Sequence, residues 1–234
     1  MTFSRPEYTA GSTTSAEGQV PAEGWQARAL ARSLAGAQLR SVARMERLLD
    51  AARELASETG SAAFTVAQVA ERAGMSLKGF YGCFAGKDDL LLALLEEDSG
   101  VGATLLADAV ARHDEPVARV RAYVRGLFSM LAHPGAMGYA GVLVREHRRL
   151  GETRPDDLRV ALAPLVDMLA GELAAAADVG LARTPDPARD AEVVFRVLLA
   201  GIHEVTLGRR DPAEEAADLW RLCWSGLGTR SDDD

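Results

Sequence analysis

The chain has 234 residues, 48% of them apolar and 26% charged, with a formal net charge of -8 at pH 7 and two cysteines. That length can bury a substantial core, and the two cysteines form neither a disulfide framework nor a metal-ligand spacing. The acidic excess is uneven: residues 1–90 carry ten Lys/Arg and ten Asp/Glu, whereas residues 91–234 carry 16 and 24, so the deficit of eight lies wholly in the later part.

Residues 1–24, rich in Gly, Ser, Thr and Pro, are aperiodic and read as a disordered tail. They lack the basic head and apolar run of a secretory signal, and no uninterrupted apolar stretch is long enough for a bilayer, so a soluble cytoplasmic protein is expected. From Trp25 the pattern turns helical and carries basic residues at Arg28, Arg32, Arg40, Arg44, Arg47 and Arg53. A face of Met45, Leu48, Leu49, Ala52, Leu55 and Ala56 has three-and-four spacing, and Gly60 stops the helix.

The stretch FTVAQVAERAG opens a second helix. Thr65 with Gln68 three positions later predicts a capping box, Phe64 with Val69 a hydrophobic staple, and Gly74 a stop. Ser76 then caps a third, short helix within MSLKGFYGCF, whose buried face is Met75, Phe80 and Phe84. Gly86-Lys87-Asp88-Asp89 begins the fourth, with Gly as N-cap and two acids at its positive end.

Beyond it, helices alternate with breakers: one from Leu90 to about Arg112 with a bend expected near Gly100 and Gly102, one ended by His133-Pro134-Gly135, and one from about Met137 to Leu150. A further helix carries Leu158, Leu162, Leu165, Leu169 and Leu173, with Pro164 as a possible kink, and two closing helices are separated by Asp211-Pro212. No strand run is visible, so the fold class is all-α.

The second and third helices, joined by Ala73-Gly74-Met75, make a helix-turn-helix pattern. In such a motif the second helix enters the major groove while the first crosses the backbone. Gly79 and Gly82 each cost about 1 kcal/mol against Ala in a helix interior. A helix whose backbone approaches DNA can use them; a short core helix of poor propensity fits the same pattern.

The segment LLDAARELASETGSAAFTVAQVAERAGMSLKGFYGCFAGKDDLLLALLEE resembles the DNA-binding segment of the tetracycline-repressor (TetR) family over about residues 45–97. The resemblance rests on the Leu/Ala helix, Gly60, Thr65, the AERAG turn, Ser76, Phe80-Tyr81, Phe84 and Gly-Lys-Asp-Asp in that order. It implies a three-helix DNA-binding domain with an N-terminal helical extension over residues 25–90, and a larger ligand-binding and dimerisation domain over 91–234. It also implies a dimeric regulator, usually a repressor, that a small molecule releases from a palindromic operator in double-stranded DNA.

Carried over position by position, the DNA contacts are Thr65 and Ser76 at helix starts, Leu77 toward a thymine methyl, Lys78 as the one basic side chain of the recognition helix, and Tyr81 and Lys87 on phosphates. Thr65 as a cap only, Lys78 as a merely solvated lysine and Tyr81 as a packing ring are the plainer alternatives. Gly79, Gly82 and Cys83 stand where Thr, Arg and His are frequent in the family. The expectation is either weak specific binding or compensation from Arg28, Arg32, Arg40 and Arg44 on the extension, whose alternative is a solvated flap. Cys83 also suggests a redox switch, although it lies far from the helix N-terminus that would activate it.

For the effector, the expected pocket residues are Leu105, Phe128, Leu131, Met137, Tyr139, Leu143, His147 and Met168, with Met130 among further apolar candidates and Tyr123 and His203 as further polar anchors. The expected dimer interface is the stripe Val194, Phe195, Leu198 and Ile202 with Trp220, Cys223 and Trp224, pairing two helices from each subunit. The four histidines show no ligand spacing, so no metal, cofactor or catalytic residue is assigned. The runner-up function is a helical ligand-binding or interaction protein whose DNA head has weakened; an enzyme comes third, for want of a phosphate loop or triad order.

Overall fold

In the computed structural model the described residues are 25–133 and 135–228, and the expected disordered tail lies outside them, as does the side chain of Arg28. The helices, in chain order, are α1 (Trp25–Thr59), α2 (Val66–Arg72), α3 (Leu77–Tyr81), α4 (Lys87–Val110), α5 (Pro116–Ser129), α6 (Ala136–Thr153), α7 (Pro155–Asp178), α8 (Pro187–Thr206) and α9 (Pro212–Leu227), with a 3-10 turn at Met130–Ala132. Among the described residues there is no strand, only an isolated bridge between Ala182 and Gly228.

Local chemistry accounts for most boundaries. Four helices start on proline, whose fixed φ suits the first helical position and whose missing N–H is no loss there. Asp186 caps α8 and Asp211 caps α9 through their carboxylates. Gly60 and Gly74 take the left-handed conformation, at φ 61 and 64, that ends the helices before them.

α4 runs as one helix from Lys87 to Val110, and Gly102 faces α7, where a Cβ would sit 3.5 Å from the Leu165 side chain. Two expectations change. The third helix ends at Tyr81, three residues before the end of MSLKGFYGCF, and Gly82 is its C-cap rather than an interior position. α7 is long and apolar enough to cross a membrane by length and composition, contrary to the sequence reading. Its leucines Leu158, Leu165, Leu169 and Leu173 are nevertheless buried in the protein's own core, and its Glu172 pairs with Arg119 of α5 at 2.7 Å.

The chain divides into two compact units, Met1–Val42 and Ala43–Asp234. The expected boundary at 90/91 falls inside the second unit and inside α4. That unit holds two apolar clusters. One joins Leu48, Leu49, Ala52 and Ala56 of α1 with Phe64, Val69, Phe80, Phe84 and the start of α4, and extends to Val142, Leu150 and Leu158. The other joins α5, α7 and α8 through Tyr123, Phe128, Leu169, Leu173 and Leu198. Leu162 packs against both. Each fully buried Leu or Phe is worth about 1.5–3 kcal/mol relative to exposure, so the head and the helices behind it share stabilisation.

Candidate nucleic-acid interface and ligand cavity

α2 begins with the complete capping box: the Gln68 N–H donates to Thr65 Oγ1 at 3.2 Å, and the Thr65 N–H donates to Gln68 Oε1 at 2.8 Å. At the start of α3 the Gly79 N–H donates to Ser76 Oγ at 3.1 Å. The turn between them is closed by the Met75 N–H on the Ala70 carbonyl at 2.8 Å. Phe80 is fully buried and anchors α3, with the Tyr81 ring edge-on 5.4 Å away and Phe84 behind. A Cβ on Gly79 would lie 3.2 Å from Met75 Cε, so the glycine lets Met75 fold under α3.

The opposite side of α3 is free. Leu77 is 47% exposed, Tyr81 is 56% exposed, and Lys78, Thr65, Ser76 and Arg44 are exposed as well. Thus six of the seven residues expected to meet DNA stand on the surface. Lys87 does not. Its ammonium donates to the Ala62 carbonyl, sits 4.8 Å from the Phe64 ring centroid, and is pushed below its ordinary pKa chiefly by burial. It ties down the loop between α1 and α2. Cys83 is half-buried against the head core. Arg72 at the end of α2 is spent on Glu58 at 2.8 Å and Glu54 at 3.2 Å of α1, leaving Lys78 as the cation of the recognition helix.

Residues 48–94 match the family described as bacterial regulatory proteins, tetR family. Over those residues the chain carries a DNA-binding head of the tetR family. No curated protein sequence matches it. Solved structures share the fold of this chain at low identity. A FadR regulator from Bacillus subtilis in complex with stearoyl-CoA is 21% identical, with 77% of this chain and 98% of that one covered and a TM-score of 0.65. RolR in complex with resorcinol is 18% identical, with 79% and 89% covered and a TM-score of 0.60. A TetR-family regulator from Marinobacter aquaeolei VT8 is 20% identical, with 82% and 100% covered and a TM-score of 0.59.

Behind the TetR-type head, α4, α5, α6, α7 and α8 enclose a cavity of about 270 Å³. Its walls are almost wholly apolar. Leu131, Tyr139, Leu143 and His147 line it as expected, joined by Met130 and by residues the sequence reading did not choose, among them Leu95, Asp98 and Leu165. Leu105, Phe128, Met137 and Met168 do not line it. Leu105 is 56% exposed on the outer side of α4. Phe128 fills the crossing of α5 and α8, where a Cβ on Gly201 would lie 3.1 Å from its ring. Met137 and Met168 pack against the second cluster.

Four polar side chains meet this wall, Tyr139, Asp98, Ser99 and His147. The Tyr139 hydroxyl donates to Asp98 Oδ2 at 2.5 Å, while Asp98 Oδ1 accepts from Arg53 of α1 at 3.1 Å. Burial, with the Asp98 carboxylate, pushes the Tyr139 hydroxyl well above its ordinary pKa. Ser99 donates to the Glu96 and Ala161 carbonyls. Burial lowers the pKa of the half-buried His147, which favours a neutral imidazole. The same helix α6 holds the head from its other side: Arg149 grips Asp88 of α4 at 2.6 Å, and Arg145 donates to the Gly60 carbonyl at 2.5 Å.

The expected dimer residues divide. Val194, Phe195, Leu198 and Ile202 are buried within the chain itself, and Phe195 and Ile202 line the cavity, so these four side chains are spent on the protomer's own core. Trp220 and Trp224 stack 5.0 Å apart on α9 and are half-exposed, as is Cys223, whose thiol burial raises above its ordinary pKa.

Proposed function

We propose that the protein is a cytoplasmic, homodimeric transcriptional repressor that binds a palindromic operator and leaves it when a small, largely apolar effector fills the cavity behind its head. The observation that carries the DNA reading is the capped pair α2 and α3, whose outward residues Leu77, Lys78 and Tyr81 are exposed while the inward Phe80 is fully buried. A helix anchored on one side and unspent on the other suits insertion into a major groove. The effector reading is supported by an apolar cavity lined from α4 and α6, the helices that also hold the head, and by solved structures of the same fold that carry stearoyl-CoA and resorcinol.

Dimerisation is supported by the half-exposed Trp220, Cys223 and Trp224 and by the outward Leu222 on α9, which is 63% exposed. Two heads related by a two-fold axis would read half-sites about one DNA turn apart, or a multiple of it. The test is selection of bound fragments from a genomic DNA pool with purified protein, repeated with candidate ligands. Enrichment of one palindrome, lost on adding an effector, is expected. Binding that is neither sequence-selective nor salt-dependent would instead favour the second reading, a ligand-binding protein with a weakened head, for which the short α3 and its single lysine speak.

A further inference from the structure

Beside the apolar cavity lies a recess that shares part of its wall. Val144, His147 and Leu199 line both. The recess, about 320 Å³, is otherwise lined by Arg145, Arg148, Arg196, Ala200 and His203. Arg145 and Arg148 are three apart on α6, and Arg196 and His203 are seven apart on α8, so one face of each helix converges on it. Among the described residues no carboxylate lines it, in a chain whose formal net charge is -8.

Its cations are largely unspent. Arg196 forms no ion pair or hydrogen bond among the described residues, although Glu192 lies one turn earlier on α8. Arg148 approaches only Glu152, at 4.0 Å and with both side chains exposed, a contact worth little. Arg145 gives one N–H to the Gly60 carbonyl and keeps the others. The Nδ1 of His203 is buried without a hydrogen-bond partner. A buried imidazole nitrogen without a partner costs free energy that a hydrogen-bonding ligand would offset.

We propose that this recess is the head-group site of an amphipathic anion whose apolar body occupies the adjoining cavity. The head is a carboxylate or a phosphate ester, since planar guanidinium forks match both. The site deepens the effector reading given above and rests on it. It also gives Arg145 a second role. An anion that recruits this guanidinium competes with its bond to the Gly60 carbonyl, at the point where α1 turns into the helix-turn-helix, so occupancy loosens the DNA-reading head.

The experiment titrates the full chain by calorimetry with decanoate, decyl phosphate and decanol, each below its aggregation threshold and at low ionic strength. The proteins are the unaltered chain and the Arg148→Gln, Arg196→Gln double variant, whose side chains are exposed and outside both apolar clusters. The expected result is that at least one anion binds about tenfold tighter than decanol, that the double variant erases this advantage, and that its decanol affinity is unchanged. Preference for decanoate over decyl phosphate, or the reverse, identifies the head. Equal binding of anions and alcohol, or an advantage that survives in the double variant, overturns the head-group site while leaving the apolar effector cavity standing. Failure of all three to bind overturns both.

Discussion

The Tyr139 hydroxyl and the Asp98 carboxylate meet at 2.5 Å at the wall of the cavity, and the far oxygen of the same carboxylate accepts from Arg53 at 3.1 Å. One carboxylate thus touches the ligand space on α6 and the first helix of the head. A ligand that displaces the tyrosine changes what Asp98 offers to Arg53, whose other partners are Glu97 and Asp50 at 2.9 Å.

Tyr139→Phe removes that link while keeping the ring. Loss of a hydrogen bond to a charged group is expected to destabilise the chain by about 1.5–3 kcal/mol, read by denaturant unfolding. Effector-induced loss of DNA binding should also weaken. An effector response equal to that of the unaltered protein would show that the signal runs elsewhere.

Alkaline pH should unfold the protein through its buried tyrosines. Burial holds the hydroxyl of Tyr123 well above its ordinary pKa of 10.0, and burial together with Asp98 does so for Tyr139. A raised folded-state pKa means that the folded chain keeps its proton longer than the unfolded one. The stabilisation is therefore complete below about pH 10 and is lost as pH rises beyond it. Tyr123, whose hydroxyl donates to the Leu165 carbonyl at 3.0 Å, gives the cleaner test: Tyr123→Phe should flatten the alkaline limb of a stability-against-pH curve.

The caps of the DNA-reading helices can be separated from their contacts. Thr65→Ala and Ser76→Ala should each cost about 0.5–2 kcal/mol of stability, because each leaves a helix N–H without its side-chain acceptor. Thr65→Asn should restore most of it as an alternative cap. Operator affinity that falls in Thr65→Ala and stays low in Thr65→Asn would assign the hydroxyl to DNA as well as to the helix.

Lys78 and Lys87 should behave in opposite ways. Lys78→Ala is expected to weaken operator binding by about 1–3 kcal/mol if it reads a base, or to lower the salt slope of binding by about one if it grips a phosphate. Lys87→Met should leave that slope unchanged and lower the thermal midpoint, since its ammonium is committed to the Ala62 carbonyl and the Phe64 ring. A reduced slope in Lys87→Met would return the residue to the DNA face.

The head was legible because its signals are local. Thr65 with Gln68, Ser76 with Gly79, and the left-handed Gly60 and Gly74 act over three or four residues, and a reader of the chain sees both partners at once. The same locality fails at the end of α3. Phe84 continues the apolar spacing of Met75 and Phe80, yet the helix stops at Tyr81, and Phe84 reaches the core from the turn beyond Gly82. In the cavity, Leu143 and Met168 look alike in sequence, as apolar residues on amphipathic helices. Which of them faces the empty space depends on how far each helix is rotated against its neighbours.

The order of amino acids alone determined the all-α class, the breaks at Gly60, Gly74 and Asp211-Pro212, and the paired helices of the head, since backbone hydrogen bonding and capping are settled between near neighbours. Only the packing of α4 through α8 decided that Phe195 and Ile202 turn inward to a cavity, that Lys87 serves a loop, and that Arg145, Arg148 and Arg196 converge on one recess. An amphipathic pattern fixes that a face will be buried; the partner that buries it comes from residues far away in the chain.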